Sequence, residues 1–171
     1  SKQAGDRDTK KQIKAKLEVE ALRDIVVFYA AAGDADKAPE YFSDLVGEQA
    51  FSYLEKLAYY YLDKGYKDAA HKTFKYLIEQ KPDDAKAFEF QYQIVQVYFY
   101  AKNSQSFKSE LYKWIQNYGP TSGWYKANQG NKELVENSIK LREKTLRLWT
   151  LQQHQTAQNS HTANSRKQAG D

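Results

Sequence analysis

The chain has 171 residues, enough for one compact domain or a short array of repeats. It contains no cysteine, which excludes disulfides, thiolate metal sites and cysteine nucleophiles, and no methionine, so we expect Ser1 to lie inside a longer protein. The net charge of +4 is too small for the concentrated basic surface of a nucleic-acid binder, and no run approaches the roughly 18 apolar residues that cross a bilayer.

Low proline and glycine contents predict an all-α fold, because the abundant Ala, Leu, Lys, Glu and Gln favour helix. Residues 1–17 are polar and are predicted to form a linker. Apolar side chains at helical spacing then predict a first helix over residues 17–31. Gly33 should end this helix, and Asp36 should cap a second helix that has Pro39 in its first turn.

The apolar pattern of this helix pair recurs thirty-two residues later, where Leu54 repeats Leu22. The second copy predicts helices over residues 49–63 and 67–80, separated by a turn at Gly65. Repetition at a period of roughly 20 to 50 residues indicates stacked helical pairs, each of which buries its apolar face against the next. The predicted core positions are Leu54, Leu57, Ala58, Tyr61, Ala70, Phe74 and Leu77, which match Leu22, Ile25, Val26, Tyr29, Ala38, Phe42 and Leu45 in the first copy.

A third, degenerate copy is predicted thirty-eight residues after the second. It predicts helices over residues 85–101 and 105–117, and the turn Tyr118-Gly119-Pro120 ends it. Polar residues replace the small residues of the second copy, as is common in a terminal repeat that meets solvent or a cap. Its predicted core positions are Tyr92, Val95, Phe99, Tyr112 and Ile115.

The C-terminal part of the chain predicts a connection, a long helix and a tail. Residues 119–131 are rich in turn formers and aromatic residues, and residues 132–157 have leucines spaced by seven. The long helix would either cap the third copy or pair with another chain, as a heptad stripe can do. Residues 158–171 are rich in Gln, Asn, Ser and Thr and are predicted to be disordered.

The second copy resembles a tetratricopeptide repeat, whose pattern is W-x2-L-G-x2-Y, then A-x3-F, then P. Small residues such as Ala58 and Ala70 let paired helices approach closely, while large ones fill the gap between them. The resemblance implies a right-handed solenoid of three helical hairpins over residues 18–118, followed by the long C-terminal helix. Leu54 stands at the Trp position, and the other positions are taken by Leu57, Ala58, Tyr61, Ala70, Phe74 and Pro82.

The sequence indicates no catalytic, cofactor or metal site. The glycines are scattered at helix ends and form no phosphate-binding motif, so no nucleotide or other cofactor is expected. His154 and His161 lie seven apart but have no third ligand nearby, and His71 is predicted to lie on the surface. Asp83 and Asp84 follow a proline at a helix start, where carboxylates cap free N–H groups. We therefore expect no enzyme activity.

The tetratricopeptide resemblance implies a concave groove for a partner, lined by the first helix of each hairpin. Family members that grip acidic chaperone tails need polar residues where Val27 and Tyr59 stand, so a partly hydrophobic peptide or helix is predicted instead. The groove positions carried across are Glu20, Arg23, Val27 and Ala30, then Ser52, Glu55, Tyr59 and Leu62, then Phe90, Gln93, Val97 and Tyr100. The predicted partner-binding residues among them are Arg23, Val27, Glu55, Tyr59, Leu62, Phe90, Gln93, Val97 and Tyr100.

These expectations describe a non-catalytic scaffold with a protein or peptide partner and no nucleic acid. The Tyr-rich helices, the run FQYQIV, the YGP turn and the following WYKAN resemble large bacterial cell-envelope tetratricopeptide proteins, including those of deltaproteobacterial gliding-motility machinery. That resemblance implies an envelope assembly role and a periplasmic or envelope location. Two alternatives stay open: a regulatory subunit of an enzyme complex, and a helical-repeat RNA binder, which would need a basic groove although Arg23 is its only predicted cation.

Overall fold

A computed structural model describes the backbone of residues 20–21, 23–101 and 103–168 and, within these ranges, the side chains up to residue 159. Every regular element in these ranges is helical, which confirms the predicted all-α fold for them. The predicted linker over residues 1–17 lies outside the described residues. The helices are α1 (residues 23–32), α2 (Ala38–Val46), α3 (Ala50–Asp63), α4 (Lys67–Gln80), α5 (Ala87–Tyr100), α6 (Ser104–Asn117), α7 (Gly123–Asn128) and α8 (Lys132–Gln168), with a 3₁₀ turn at Gly47–Gln49.

The chain divides into two compact units, one ending at Trp114 and the other beginning at Ile115. Helices α1 to α5 belong to the first unit, and α7 and α8 belong to the second. The boundary falls inside α6, close to the predicted end of the helical hairpins at residue 118.

The first unit is built from consecutive helices that pack on one another. Helix α2 contacts α3, α3 contacts α4, and α4 contacts α5. Ala58 of α3 and Ala70 of α4 are fully buried, as expected where small side chains let two helices approach closely. This confirms the predicted register of the second copy, whose buried positions are Leu54, Leu57, Ala58, Tyr61, Ala70, Phe74 and Leu77.

The first copy follows its predicted core pattern less completely. Ala38 and Phe42 of α2 are fully buried, but Leu45 is 48 % exposed, so its predicted core position is wrong. Helix α2 is short because Gly47 adopts a positive φ of 56° and its N–H donates to the carbonyl of Ser43. Only glycine adopts this backbone conformation without strain, and α2 therefore ends at Val46.

The turn before α2 also differs from the prediction. Pro39 lies in the first turn of α2 as expected, but Asp36 does not cap the helix, because Lys37 occupies the N-cap position. The Asp34 carboxylate accepts the N–H of Asp36 at 3.0 Å and so forms the turn one residue earlier. The Asp36 carboxylate instead pairs with the Lys72 ammonium on α4 at 2.6 Å.

The third helix pair lies at a different register from the predicted one. Helix α5 begins 37 residues after α3, from Ala50 to Ala87, and α6 begins 37 residues after α4, from Lys67 to Ser104. The predicted offset of thirty-eight is therefore wrong by one residue, which is a rotation of about 100° around a helix. Tyr112, a predicted core residue, is 65 % exposed. The buried counterparts of the second copy are Gln91, Ile94, Val95, Phe107, Leu111 and Trp114.

A buried polar pair explains why the sequence pattern misled the prediction. Gln91 takes the place of the apolar Leu54, and its side-chain amide donates to the carboxylate of Glu110 on α6 at 2.8 Å. Lys113 also contacts this carboxylate at 2.7 Å, so its charge has partners. Because these two buried residues are polar, a search for apolar side chains at helical spacing does not identify the buried faces of α5 and α6.

Aromatic side chains complete the packing of α5 on α6. The Trp114 indole stacks on Phe88 with ring centroids 5.2 Å apart, and its N–H donates to the Phe88 carbonyl at 3.1 Å. Phe99 and Phe107 meet at 5.4 Å farther along the same pair of helices.

His71 connects α4 to α5 from a half-buried position. Its Nδ1 is hydrogen-bonded to the hydroxyl of Tyr98 at 2.8 Å, so its predicted surface location is wrong. Burial lowers the pKa of His71, with nearby charges as smaller contributions. The residue is thus part of the helix packing, and its burial favours the neutral imidazole.

The second unit contains a short helix and a long one. Helix α7 lies within the predicted connection, begins at a Ser122 cap and buries Trp124, whose ring meets Tyr118 edge-on at 5.4 Å. Helix α8 begins at Lys132 as predicted but extends to Gln168 instead of residue 157. Helix α8 thus continues into the stretch from residue 158 that was predicted to be disordered, and no proline or glycine interrupts it up to residue 168.

Candidate partner-binding surface

The predicted partner-binding residues lie on three helices of the first unit. Arg23 and Val27 are on α1, where Arg23 is exposed and Val27 is half-buried. Glu55, Tyr59 and Leu62 lie on α3. Phe90, Gln93, Val97 and Tyr100 lie on α5.

The structure brings four of these residues together in a pocket between α3 and α5. Its volume is about 420 Å³, within the range of roughly 300 to 1,000 Å³ that is typical of ligand pockets. We call it the α3–α5 pocket. Its lining consists of Leu62, Gln93, Val97 and Tyr100 from the prediction, together with Gly65, Lys67, Tyr92 and Gln96.

The apolar wall of the α3–α5 pocket combines aliphatic and aromatic side chains. Tyr100 is 70 % exposed, and its ring meets the edge of Phe99 with centroids 5.4 Å apart. The Tyr92 ring packs on the Trp114 ring, and the two ring centroids are 5.0 Å apart. The Tyr92 ring thus packs on a buried indole, whereas Tyr100 projects towards solvent.

The pocket also has a polar side with one charge. Gln93 and Gln96 line the pocket from α5, and neither side-chain amide is hydrogen-bonded to another described residue. Lys67, at the start of α4, is the only charged residue in the lining. It forms no ion pair with a described residue. Among the residues that the structure describes, the pocket therefore has two glutamine side chains without a hydrogen bond and one lysine without an ion pair.

The turn between α3 and α4 positions Lys67 at this rim. Gly65 adopts a positive φ of 75°, and the N–H of Tyr66 donates to the Tyr61 carbonyl at 2.8 Å. This bond closes the end of α3, and the chain then reverses into α4. A side chain at Gly65 would be strained by its backbone conformation, although space is available for it.

Two of the predicted residues have partners within the fold. The Tyr59 hydroxyl donates to Glu89 at 2.9 Å, and its ring packs on Phe74 with centroids 5.1 Å apart. Burial, and secondly the hydrogen bond to Glu89, raises the pKa of the Tyr59 phenol well above its usual value. Glu55 pairs with Lys86 at 2.7 Å. These contacts hold α3 and α5 together and leave the two side chains only partly available to a partner.

Phe90 belongs to the core rather than to a surface. It is 1 % exposed and packs on Phe74 with ring centroids 5.7 Å apart. Phe90 was assigned to the groove because the predicted offset of thirty-eight residues makes it equivalent to Ser52. With the observed offset of 37 residues, other residues are equivalent to the groove positions of the second copy. The equivalents of Ser52, Glu55, Tyr59 and Leu62 are Glu89, Tyr92, Gln96 and Phe99. Two of these, Tyr92 and Gln96, line the α3–α5 pocket and were missed by the sequence analysis.

A second pocket of about 490 Å³ lies between α1 and α2, and none of the predicted binding residues lines it. The Tyr29 ring forms one wall, and its hydroxyl donates to the Asp34 carbonyl at 2.7 Å. Burial raises the pKa of Tyr29 to about 12. The remaining lining is Ala32, Gly33, Lys37, Glu40, Tyr41 and Asp44.

The described part of the chain also bears on metal binding and on membrane insertion. No cluster of three or more His, Asp or Glu residues there could hold a metal ion. His154 is exposed on α8, and the side chain of His161 lies outside the described residues. None of the described helices is both long enough and apolar enough to cross a membrane. No family model, no curated protein and no solved structure matches this chain.

Proposed function

We propose that this chain is a non-catalytic protein-interaction scaffold that holds a peptide or helix of a partner protein in the α3–α5 pocket. The observation that carries the proposal is the pocket itself, with Tyr100 at its rim and 70 % exposed. An aromatic side chain that is so exposed adds little stability to the hydrophobic core. Exposed aromatic residues beside an apolar pocket are instead typical anchors of protein interfaces.

The proposal includes a tetratricopeptide-like arrangement of the helical pairs. It is supported by the fully buried Ala58 and Ala70 at the small positions of the repeat pattern. It is also supported by the equal lengths of α3, α4, α5 and α6, which have 14 residues each and recur at a constant offset. Repeat proteins form their extended binding surfaces by stacking similar helical pairs at a regular spacing.

The resemblance to cell-envelope tetratricopeptide proteins extends the proposal to an assembly role in a bacterial envelope. It rests on sequence runs such as FQYQIV and WYKAN and on no contact in the structure. Fractionation of cells that express the full parent protein tests it, and recovery in the cytoplasm alone would contradict it.

Two tyrosine variants test the binding role. Tyr100 and Tyr112 are similarly exposed, at 70 % and 65 %, but only Tyr100 lines the pocket. A partner should be captured from native lysate by the parent chain and by Tyr112→Ala but not by Tyr100→Ala. The captured protein is then purified, and its binding to the three chains is measured directly by calorimetry. Equal affinity for the parent chain and Tyr100→Ala would place the interface elsewhere.

A further inference from the structure

We propose that the pocket between α1 and α2 binds the guanidinium group of an arginine side chain on a partner protein. This pocket shares no lining residue with the α3–α5 pocket, so the inference adds a second site and does not rest on the first. We call it the α1–α2 pocket. The lining residues that carry the argument are Tyr29, Asp34, Lys37, Glu40, Tyr41 and Asp44.

Two tyrosine rings form a wall of the α1–α2 pocket. The Tyr29 hydroxyl donates to the Asp34 carbonyl at 2.7 Å. A Cβ atom at Gly33 would lie only 2.6 Å from the Tyr29 ring, so this ring lies directly on the backbone of the turn. The Tyr41 ring packs on Tyr29 with centroids 4.6 Å apart and remains 42 % exposed. The wall is thus anchored to the fold at Tyr29 and presents aromatic surface at Tyr41, and cations bind over such surfaces.

The charges of the lining favour a cation. Three carboxylates, those of Asp34, Glu40 and Asp44, outnumber one ammonium, that of Lys37, which gives the pocket a formal net charge of −2. None of these four side chains forms an ion pair with a described residue. The pocket therefore attracts cations and repels anions.

Glu40 and Asp44 are placed to share one ligand. They lie four residues apart on α2 and both line the pocket, with Cβ atoms about 5–6 Å apart at this spacing. Like charges four residues apart destabilise a helix, and no described cation forms an ion pair with either carboxylate. A cation bound between them replaces this repulsion with two attractive contacts.

A guanidinium fits this arrangement better than an ammonium. It is planar, stacks on an aromatic face and carries five N–H donors in a fixed fork, so it can lie on Tyr41 while it donates to two carboxylates. An ammonium is a compact, strongly hydrated point charge and has no planar face to stack. Arginine should therefore be preferred over lysine, although the two side chains carry the same charge.

The open form of the pocket favours a side chain of a protein over a free small molecule. Every lining residue except Tyr29 is exposed. Small-molecule sites usually enclose roughly 70–90 % of the surface of their ligand, which so open a pocket cannot do. A partner protein covers the open side with its own surface, and the loss of water strengthens the charged contacts. The aliphatic stem of the arginine also covers apolar ring surface.

Two-dimensional NMR of the ¹⁵N-labelled chain, titrated with capped Gly-Gly-X-Gly-Gly peptides, tests the proposal. X is arginine, lysine or citrulline, which keeps the shape of arginine without its charge. The arginine peptide should shift amide signals within residues 29–45 with a dissociation constant of roughly 1–10 mM, because exposed charge pairs contribute little. The lysine peptide should bind at least about threefold more weakly, and the citrulline peptide should cause no saturable shift. Methylguanidinium, which lacks the aliphatic stem, should bind more weakly than the arginine peptide.

Two double variants with the same change in net charge locate the site. Glu40→Gln with Asp44→Asn removes two pocket carboxylates and should weaken binding of the arginine peptide about three- to tenfold. Glu48→Gln with Asp63→Asn removes two exposed carboxylates outside the pocket and should change the dissociation constant by less than about twofold. Tyr41→Leu keeps an apolar side chain but removes the ring, and should weaken binding about two- to fivefold. Circular dichroism should show every variant folded, because the substituted side chains are exposed.

The outcomes separate this inference from the proposed function. No shift with the arginine peptide, equal binding of the arginine and lysine peptides, or equal weakening by the two double variants would overturn the inference. Methylguanidinium that binds as tightly as the arginine peptide would overturn the assignment to a protein side chain. Tyr100→Ala should bind the arginine peptide like the parent chain, because Tyr100 lines only the α3–α5 pocket. A result at either pocket therefore stands without the other.

Discussion

Replacing Trp114 and Tyr112 separately by alanine decides which face of α6 is buried. Trp114 is fully buried, stacks on Phe88 and donates its indole N–H to the Phe88 carbonyl, whereas Tyr112 is 65 % exposed. Truncating a buried aromatic side chain costs about 3–5 kcal/mol. The lost hydrogen bond adds about 1 kcal/mol. Tyr112→Ala should change the free energy of unfolding by no more than about 0.5 kcal/mol.

Urea unfolding followed by far-UV circular dichroism measures both variants. Small domains are stable by only about 5–15 kcal/mol, so a loss of the size expected for Trp114→Ala can leave too little folded protein to analyse. Trp114→Phe is therefore included, because it keeps a ring against Phe88 but loses the N–H donor and some volume, for an expected cost of about 1–2 kcal/mol. The slope of unfolding free energy against urea should stay constant, which shows that stability and not compactness has changed.

The opposite order of effects would refute the reasoning. In the thirty-eight-residue register that the sequence suggested, Tyr112 occupies a core position and Trp114 does not. A larger loss of stability for Tyr112→Ala than for both Trp114 variants would therefore favour that register over the one in the structure.

Two further predictions concern buried polar groups of the first unit. The Tyr53 hydroxyl is buried without a hydrogen-bond partner among the described residues, so Tyr53→Phe should leave stability unchanged or raise it by up to about 1 kcal/mol; a loss above 1 kcal/mol in the same urea assay would reveal a partner. Burial holds the folded-state pKa of His71 below the 6.5 of an unperturbed histidine, so the unfolded chain binds the proton more readily. The stability due to neutral His71 is then complete above about pH 6.5 and is lost as the pH falls towards the folded-state pKa. His71→Gln should flatten this part of the stability profile, and an unchanged profile would assign the pH dependence to other groups.

The helices and their pairing could be predicted from the sequence because both depend on local periodicity. Apolar spacing predicted α3 and α4 to within a residue, and the alternation of small and large residues predicted the buried Ala58 and Ala70. Asp36 was misplaced because a single turn residue decides where a helix begins. Gly47 shortens α2 through a positive φ that no spacing rule anticipates.

Only about half of the residues that line the α3–α5 pocket were predicted from the sequence. Leu62, Gln93, Val97 and Tyr100 were predicted and do line the α3–α5 pocket, although the α5 residues were chosen in the wrong register. Tyr92, Gln96 and Lys67 were missed for different reasons. The first two are equivalent to groove positions only in the 37-residue offset, and the third comes from the turn before α4, which the family's groove positions do not include.

By itself the sequence determined the all-α architecture, the repeated helical pair and the core face of α3 and α4, since these follow from residue periods within one or two helices. Only the tertiary structure decided the register of the third pair. Gln91 and Glu110 can be buried because they are hydrogen-bonded to each other across the interface of α5 and α6. They are nineteen residues apart in the sequence. That partnership exists only after the helices pack, and one residue of register turns the α5 surface by about 100°. The set of side chains that faces the pocket was therefore settled by long-range contact and not by local pattern.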